Sequence, residues 1–268
     1  MSSDIMKGKR GLVMGVANEK SIAWGMAKTL NAHGAEMAFT YQGEAFGKRV
    51  KPLAESIGAN VLIDCDVSKE SDLDNAFAIL NQEWGDLDFV IHAIAYSDKE
   101  ELKGRYVDTS LDNFLKSMHI SCYSFTSVMR RAAPMIKEGG SAVTLSYYGA
   151  EKAMPNYNVM GVAKAALESS VRYLAADLGR DGIRVNAISA GPMRTLAGSA
   201  IGGARTTFKY NQITSPLQRS VELEELGGAG LYLLSDLSAA VTGEIHYVDC
   251  GFNAVGMPMP DRLKEFGS

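Results

Sequence analysis

At 268 residues, with 46% hydrophobic and 22% charged side chains, the chain has an ordinary soluble composition and room for one large or two small domains. A formal net charge of −4 argues against a nucleic-acid-binding face, and no apolar run reaches the length of a membrane span. Cys65, Cys122 and Cys250 are too widely spaced for a disulfide framework or a zinc cluster, so buried free thiols, a reducing cytoplasm and no metal are expected. The first ten residues carry no apolar stretch, and no secretory signal is expected there.

Residues 9–15 read as a short apolar strand closing on Gly15, and residues 21–30 as a helix with Ser21 as its N-cap. Strand, glycine turn and helix form the first unit of a dinucleotide-binding fold, although the spacing departs from G-x-G-x-x-G. A second strand, 35–41, ends at Gln42, Gly43 and Glu44. An acid often stands here to hold the adenosine ribose. Gln42 can donate and accept in its place, and Glu44 would repel a 2′-phosphate, which leans the reading to NADH over NADPH. Lys48 and Arg49 stand further into the next helix, which runs to about Ile57.

A third strand, 59–64, ends in Cys65, Asp66, Val67 and Ser68. Asp66 suits an adenine amino group, but taken alone Asp66 or Ser68 reads more readily as a cap for a helix over 70–84. The continuous apolar run at 87–92 suits a strand buried on both faces of a parallel sheet. It leads into Ala93, Ile94, Ala95 and Tyr96, where small side chains would let a flat cofactor lie against the backbone. His92 reads as a strand-end histidine with a hydrogen-bond partner rather than a base.

A long helix over 112–135 and a strand over 141–146 follow, then the stretch 147–164, a helix running on to 178, and a strand over 183–189 that Gly191 and Pro192 end sharply. Thr195 is placed to bond a polar cofactor group. The segment 195–216, rich in small residues with Ile201, Phe208, Tyr210 and Ile213 between them, suits a mobile lid over an apolar pocket. A capped helix over 220–234, a strand over 243–249 and a loose tail over 257–268 complete the chain. Seven alternations of strand and helix without a linker predict one doubly wound, Rossmann-like α/β domain over 1–268, its seven-stranded sheet mainly parallel.

Tyr157 and Lys164 are seven residues apart in the 147–164 stretch. On a helix that spacing returns almost to one face, about 10.5 Å along the axis, so a phenol and an ammonium could address two parts of one ligand. A lysine there also favours charge developing on the phenol.

With these parts in place the chain resembles the short-chain dehydrogenase/reductase superfamily over almost its whole length. Gly15, Asp66 and Val67, Tyr157 and Lys164, and Ala190 to Pro192 carry the resemblance. Most members place the tyrosine four residues before the lysine, where this chain has Met160, and a serine where it has Tyr147. The order Tyr147, Tyr157, Lys164 is instead similar to the divergent enoyl-acyl-carrier-protein reductases of bacterial type II fatty-acid synthesis. The glycine loop from Gly15 to Gly25, the strand end Thr40 to Gln42, and Arg194 to Leu196 match that group as well.

The resemblance implies NADH-dependent reduction of the trans-2 double bond of an enoyl thioester. It casts Tyr147, Tyr157 and Lys164 as the catalytic set. It gives Gly15, Ser21, Ile22, Gln42, Asp66, Val67, Ala93, Ile94, Lys164, Met193 and Thr195 as cofactor contacts, and Ala95, Tyr96, Tyr147, Tyr157, Met160 and Phe208 as substrate contacts. Many relatives have serine and glycine where Ala93 and Ala95 stand, so the extra methyl at Ala95 narrows the wall of the cofactor-side pocket. The resemblance further implies an acyl-carrier-protein partner, with Arg194, Arg205 and Lys209 as its basic patch, and a homotetramer paired through the helices at 112–135 and 156–178. Two rivals are a carbonyl reductase using Tyr157 as acid, which Met160 weighs against, and a cofactor-sensing protein with a dead site.

Overall fold

Seven strands, β1 (Arg10–Met14), β2 (Glu36–Tyr41), β3 (Leu62–Asp64), β4 (Leu87–His92), β5 (Ile136–Ser146), β6 (Arg184–Ala190) and β7 (Ile245–Val248), lie in the order β3-β2-β1-β4-β5-β6-β7 in the computed structural model, every pair parallel. The structure describes residues 4–196, 198 and 203–264, so Ile201 of the expected lid and the end of the tail lie outside the described residues. The order reverses between β1 and β4, which opens a crevice at the strands' carboxyl ends.

Alternation along each strand divides the core in two. Leu12 and Met14 face one way with Val90, Ala142 and Val185. There they meet Leu73 and Phe77 of α3 (Glu70–Glu83), Phe125 and Met129 of α5 (Ser124–Ala132), and Leu167 and Val171 of α6 (Val159–Leu178). Val13, Phe39, Phe89, Ile91 and Val143 face the other way, against Trp24, Met26 and Leu30 of α1 (Ile22–Ala32) and Leu226 and Leu233 of α8 (Leu223–Leu234). Each large apolar side chain taken fully from water contributes about 1.5–3 kcal/mol. Helices α2 (Gly43–Ser56), α4 (Leu111–Met118) and α7 (Ala204–Thr214) complete the layers.

Four expectations are corrected here. The helix expected over 112–135 is α4, a π-helical turn at His119–Tyr123 and α5, which stops at Ala132 as the chain reaches Pro134, whose missing N–H cannot extend the helical ladder. The fifth strand starts five residues earlier than expected, at Ile136 rather than residue 141, with a register shift against β4 between Leu87 and Phe89. Helix α6 begins at Val159, so Tyr157 precedes it and does not share a helix face with Lys164. The last long helix starts at Leu223, where the Glu225 carboxylate accepts the Glu222 N–H at 2.9 Å, and not at a Ser220 cap. The expected lid holds α7, and the expected loose tail holds a short helix at Pro260–Leu263.

Candidate active site

The floor of the crevice is set where β1 ends. Gly15 has φ +99°, and a Cβ there would lie 2.1 Å from the Ala93 carbonyl oxygen, so only glycine lets the first turn close on the end of β4. Ser21 sits at the N-cap of α1, but its hydroxyl does not cap the helix. It accepts the N–H groups of Ala17 at 2.9 Å and Asn18 at 3.1 Å, folding the loop back on itself. Ile22 then opens α1, whose first N–H groups face the crevice end of the sheet.

At the ends of β2 and β3, Gln42 and Asp66 come together. Asp66 accepts Ser68 Oγ–H at 2.7 Å and Ser68 N–H at 2.9 Å. Burial pushes its carboxyl up, but those bonds, a bond from the Gln42 side chain and the charge of Lys69 outweigh it and hold the group below the usual carboxylate range. Neither Asp66 nor Ser68 caps α3, because Lys69 occupies the N-cap position and Asp72 accepts the Asp66 N–H at 3.1 Å. Val67 is buried in the core beneath.

Beyond β4, Ala93 and Ile94 are half-buried while Ala95 and Tyr96 are exposed. The Tyr96 N–H donates to Ser121 Oγ at 2.9 Å, that hydroxyl donates to the Tyr96 carbonyl at 3.0 Å, and Lys116 Nζ stands 4.5 Å above the Tyr96 ring. His92 is sealed below, between Ser124 Oγ at 2.8 Å and Thr144 Oγ1 at 3.2 Å. Burial, then the charge of Lys164, push its pKa down to about 3, so it is a neutral, partnered histidine as expected and no base.

Tyr147, Tyr157, Met160 and Lys164 gather where β5 ends and α6 begins. The Tyr147 and Tyr157 rings meet edge to face with centroids 5.0 Å apart. Tyr157, Met160, Val159 and Leu102 form a small apolar cluster on which Tyr147, Phe114 and Met154 pack. Tyr157 is flanked by two strained residues, Asn156 at φ 58° and Asn158 at φ 40°. The Asn158 side-chain amide donates to the carbonyls of Glu101 at 3.3 Å and Gly104 at 3.4 Å, which ties this turn to the 101–104 loop. Gly149 packs on the other side, where a Cβ would lie 2.4 Å from the Tyr157 ring.

Burial raises the Tyr147 phenol to about 12 and Tyr157 further above the usual phenol range, so both are donors rather than bases near neutral pH. Lys164 is buried, with Nζ donating to the Leu145 carbonyl at 2.7 Å, and burial lowers its pKa to about 8. The ammonium has further donors beyond that one bond.

After β6, Met193 is half-buried and Thr195 Oγ1 accepts the Gly198 N–H at 2.9 Å. The Arg194 guanidinium lies over the Phe208 ring, 5.8 Å from its centroid. Met193, Arg194, Phe208 of α7 and Val221 line a depression of about 400 Å³. Arg205 and Lys209 are exposed on α7. The three cysteines are free and buried; Cys65 is pushed up to about 12, chiefly by burial, so it is an inert thiol. Among the described residues no helix is long and apolar enough to cross a membrane.

Three polar residues escaped sequence reading. Ser121 bridges Tyr96 toward Met160, Asn158 ties the turn bearing Tyr157, and Glu168 binds Ser146. Only Glu168 had a signal, four residues beyond Lys164 on a helix and therefore on its face.

A family model described as Enoyl-(Acyl carrier protein) reductase matches residues 15–253. The chain belongs to that family. It is 60% identical over 260 residues to "Enoyl-[acyl-carrier-protein] reductase [NADH] 2" of Rhizobium meliloti (strain 1021), covering 97% of both chains. The solved enoyl-(acyl-carrier-protein) reductase of Anaplasma phagocytophilum, in complex with NAD, superposes with a TM-score of 0.92 at 58% identity, over 97% of each chain. FabI from Candidatus Liberibacter asiaticus gives a TM-score of 0.94 at 54% identity, covering 97% of this chain and 100% of the other. The family match over residues 15–253 spans every site residue described above.

Proposed function

We propose that this reductase uses NADH to reduce the trans-2 double bond of enoyl-acyl-carrier-protein thioesters in fatty-acid biosynthesis. The observation that carries the reading is the edge-to-face Tyr147–Tyr157 pair beside buried Lys164, at the carboxyl end of β5 in a chain that the enoyl reductase model matches over residues 15–253.

The crevice suits NADH by its donor set. Gln42 and Asp66 present paired amide and carboxylate groups for the adenosine end, and Gly15, Ser21, Ile22 and Val67 are further cofactor contacts in this reading. Ala93, Ile94, Met193 and Thr195 flank the middle, and Lys164 offers spare N–H donors to the nicotinamide ribose hydroxyls. Bound NADH supplies the hydride for the β-carbon.

The chain's own groups do the rest. Tyr157 donates its hydroxyl proton in a hydrogen bond to the thioester carbonyl oxygen, where negative charge develops as the enolate forms. Such a donor is worth about 2.7–4 kcal/mol to a transition state in a dry site. Its raised pKa keeps the proton on the phenol, so it acts as an oriented donor. Tyr147, Met160, Ala95, Tyr96 and Phe208 line the acyl side. Helix α7 (Ala204–Thr214) covers the acyl chain and excludes water, and Arg194, Arg205 and Lys209 receive the acidic carrier protein. A cytoplasmic homotetramer paired through α4, α5 and α6 completes the reading.

NADH oxidation with a trans-2-enoyl thioester and with a 3-oxoacyl thioester tests it. Turnover of the enoyl substrate alone is expected; turnover of the 3-oxoacyl substrate alone would make the protein a carbonyl reductase. The same assay with NADPH is expected to run more slowly.

A further inference from the structure

One turn beyond Lys164, α6 carries a second buried charged side chain, Glu168, which the proposed reaction does not use. Both residues engage the same strand end. Lys164 Nζ donates to the Leu145 carbonyl at 2.7 Å, and Ser146 Oγ donates to Glu168 Oε1 at 2.5 Å. Two successive turns of helix therefore hold two successive residues of β5, immediately before Tyr147. A buried carboxylate is costly unless it is hydrogen-bonded and faces a cation.

The charged and titratable surroundings single out one anion for Lys164. From β4, Lys164 faces His92, which is neutral, and from the π-helical turn it faces Cys122, whose thiol burial pushes up. From its own helix it faces Glu168. Glu168 in turn faces Arg172 on α6, Glu151 after β5 and the Tyr157 phenol, and Glu151 itself accepts the Tyr247 hydroxyl of β7.

We propose that Glu168 is a positioning residue of the active site: oriented by Ser146, it is the buried counter-charge that keeps Lys164 protonated and aimed at the crevice. This rests on the reading of Lys164 as a cofactor-holding residue. Burial opposes charge on both partners, lowering Lys164 to about 8 and raising Glu168; the Ser146 bond, Arg172 and then Lys164 favour the ionised carboxylate, and Glu168 in turn favours the charged ammonium.

The test is NADH affinity by fluorescence titration from about pH 6.5 to 9.5 on the full chain, for wild type, Glu168→Gln, Ser146→Ala and Lys164→Met. Wild-type affinity is expected to weaken as pH rises through about 8. Glu168→Gln keeps an acceptor for Ser146 but removes the charge, so the midpoint of that loss is expected about one unit lower. Ser146→Ala removes a bond that favours the ionised carboxyl, so its midpoint moves the same way by less; it decides the matter if Glu168→Gln does not fold. A purely structural Glu168 would weaken binding equally at every pH and leave the midpoint in place. Unmoved midpoints in both variants, with the alkaline limb lost in Lys164→Met, would overturn the proposal and leave the cofactor role of Lys164 standing. Wild-type affinity and pH dependence in Lys164→Met would remove that role and the proposal together.

Discussion

On the β1 side of the crevice, tight turns set the site: Gly15 has a positive φ against Ala93, a loop folds onto the Ser21 hydroxyl, and the Asp66 carboxylate is bonded two residues along and to Gln42. On the β5 side, Tyr147, Tyr157 and Lys164 are placed by contacts between segments far apart in the chain. Asn158 reaches Glu101, Lys164 reaches Leu145, and Tyr157 packs on Leu102. In the first arrangement the Ser21 and Asp66 turns are closed by side-chain bonds that reach no more than four residues along the chain. The second depends on a strained turn and three packed segments.

The sharpest way to break this contrast is Gly15→Ala. Its forced φ and the clash with Ala93 are expected to cost roughly 2–3 kcal/mol of stability and to abolish measurable NADH binding, read by thermal unfolding and fluorescence titration. Unchanged unfolding would mean that backbone geometry does not set the first turn. Gly149→Ala probes the other side: the new Cβ pushes the Tyr157 ring, so kcat is expected to fall about tenfold or more while NADH affinity holds.

Asn158 sharpens the comparison further. Asn158→Ala loses the bonds to Glu101 and Gly104 and keeps the strained φ, whereas Asn158→Gly loses the bonds and relieves the strain. Denaturant unfolding should place the glycine variant about 1 kcal/mol above the alanine variant. The smallest effect at neutral pH concerns His92. Its folded pKa lies near 3 against 6.5 unperturbed, so its contribution to stability is complete above 6.5 and is lost as pH falls toward 3. His92→Gln should flatten unfolding midpoints across that window, and an unchanged slope would show that the ring does not titrate on unfolding.

The legibility of the chain follows the same division. Strand–glycine–helix units carry their signals locally, so all seven strands and the crevice side were readable from residues 9–249. The break of α4–α5 at a π-helical turn was not, because His119–Tyr123 contains no glycine or proline to mark it. Tyr157 and Lys164 were found by spacing, yet the helical face invoked for them is absent, since Asn158 at φ 40° interrupts the chain between the two. Ser146 and Glu168 looked like an ordinary strand residue and an ordinary helix charge, and only the fold brings them within 2.5 Å.

In the proposed mechanism labour is divided: Lys164 holds the cofactor and Tyr157 acts on the substrate carbonyl. Steady-state reduction of a trans-2-enoyl thioester, with NADH affinity measured on the same preparations, tests it in Tyr157→Phe and Lys164→Met. Tyr157→Phe should lower kcat about tenfold to 100-fold with NADH affinity unchanged, and Lys164→Met should weaken NADH binding as its main effect. Wild-type rates and affinities in both variants would contradict the claim.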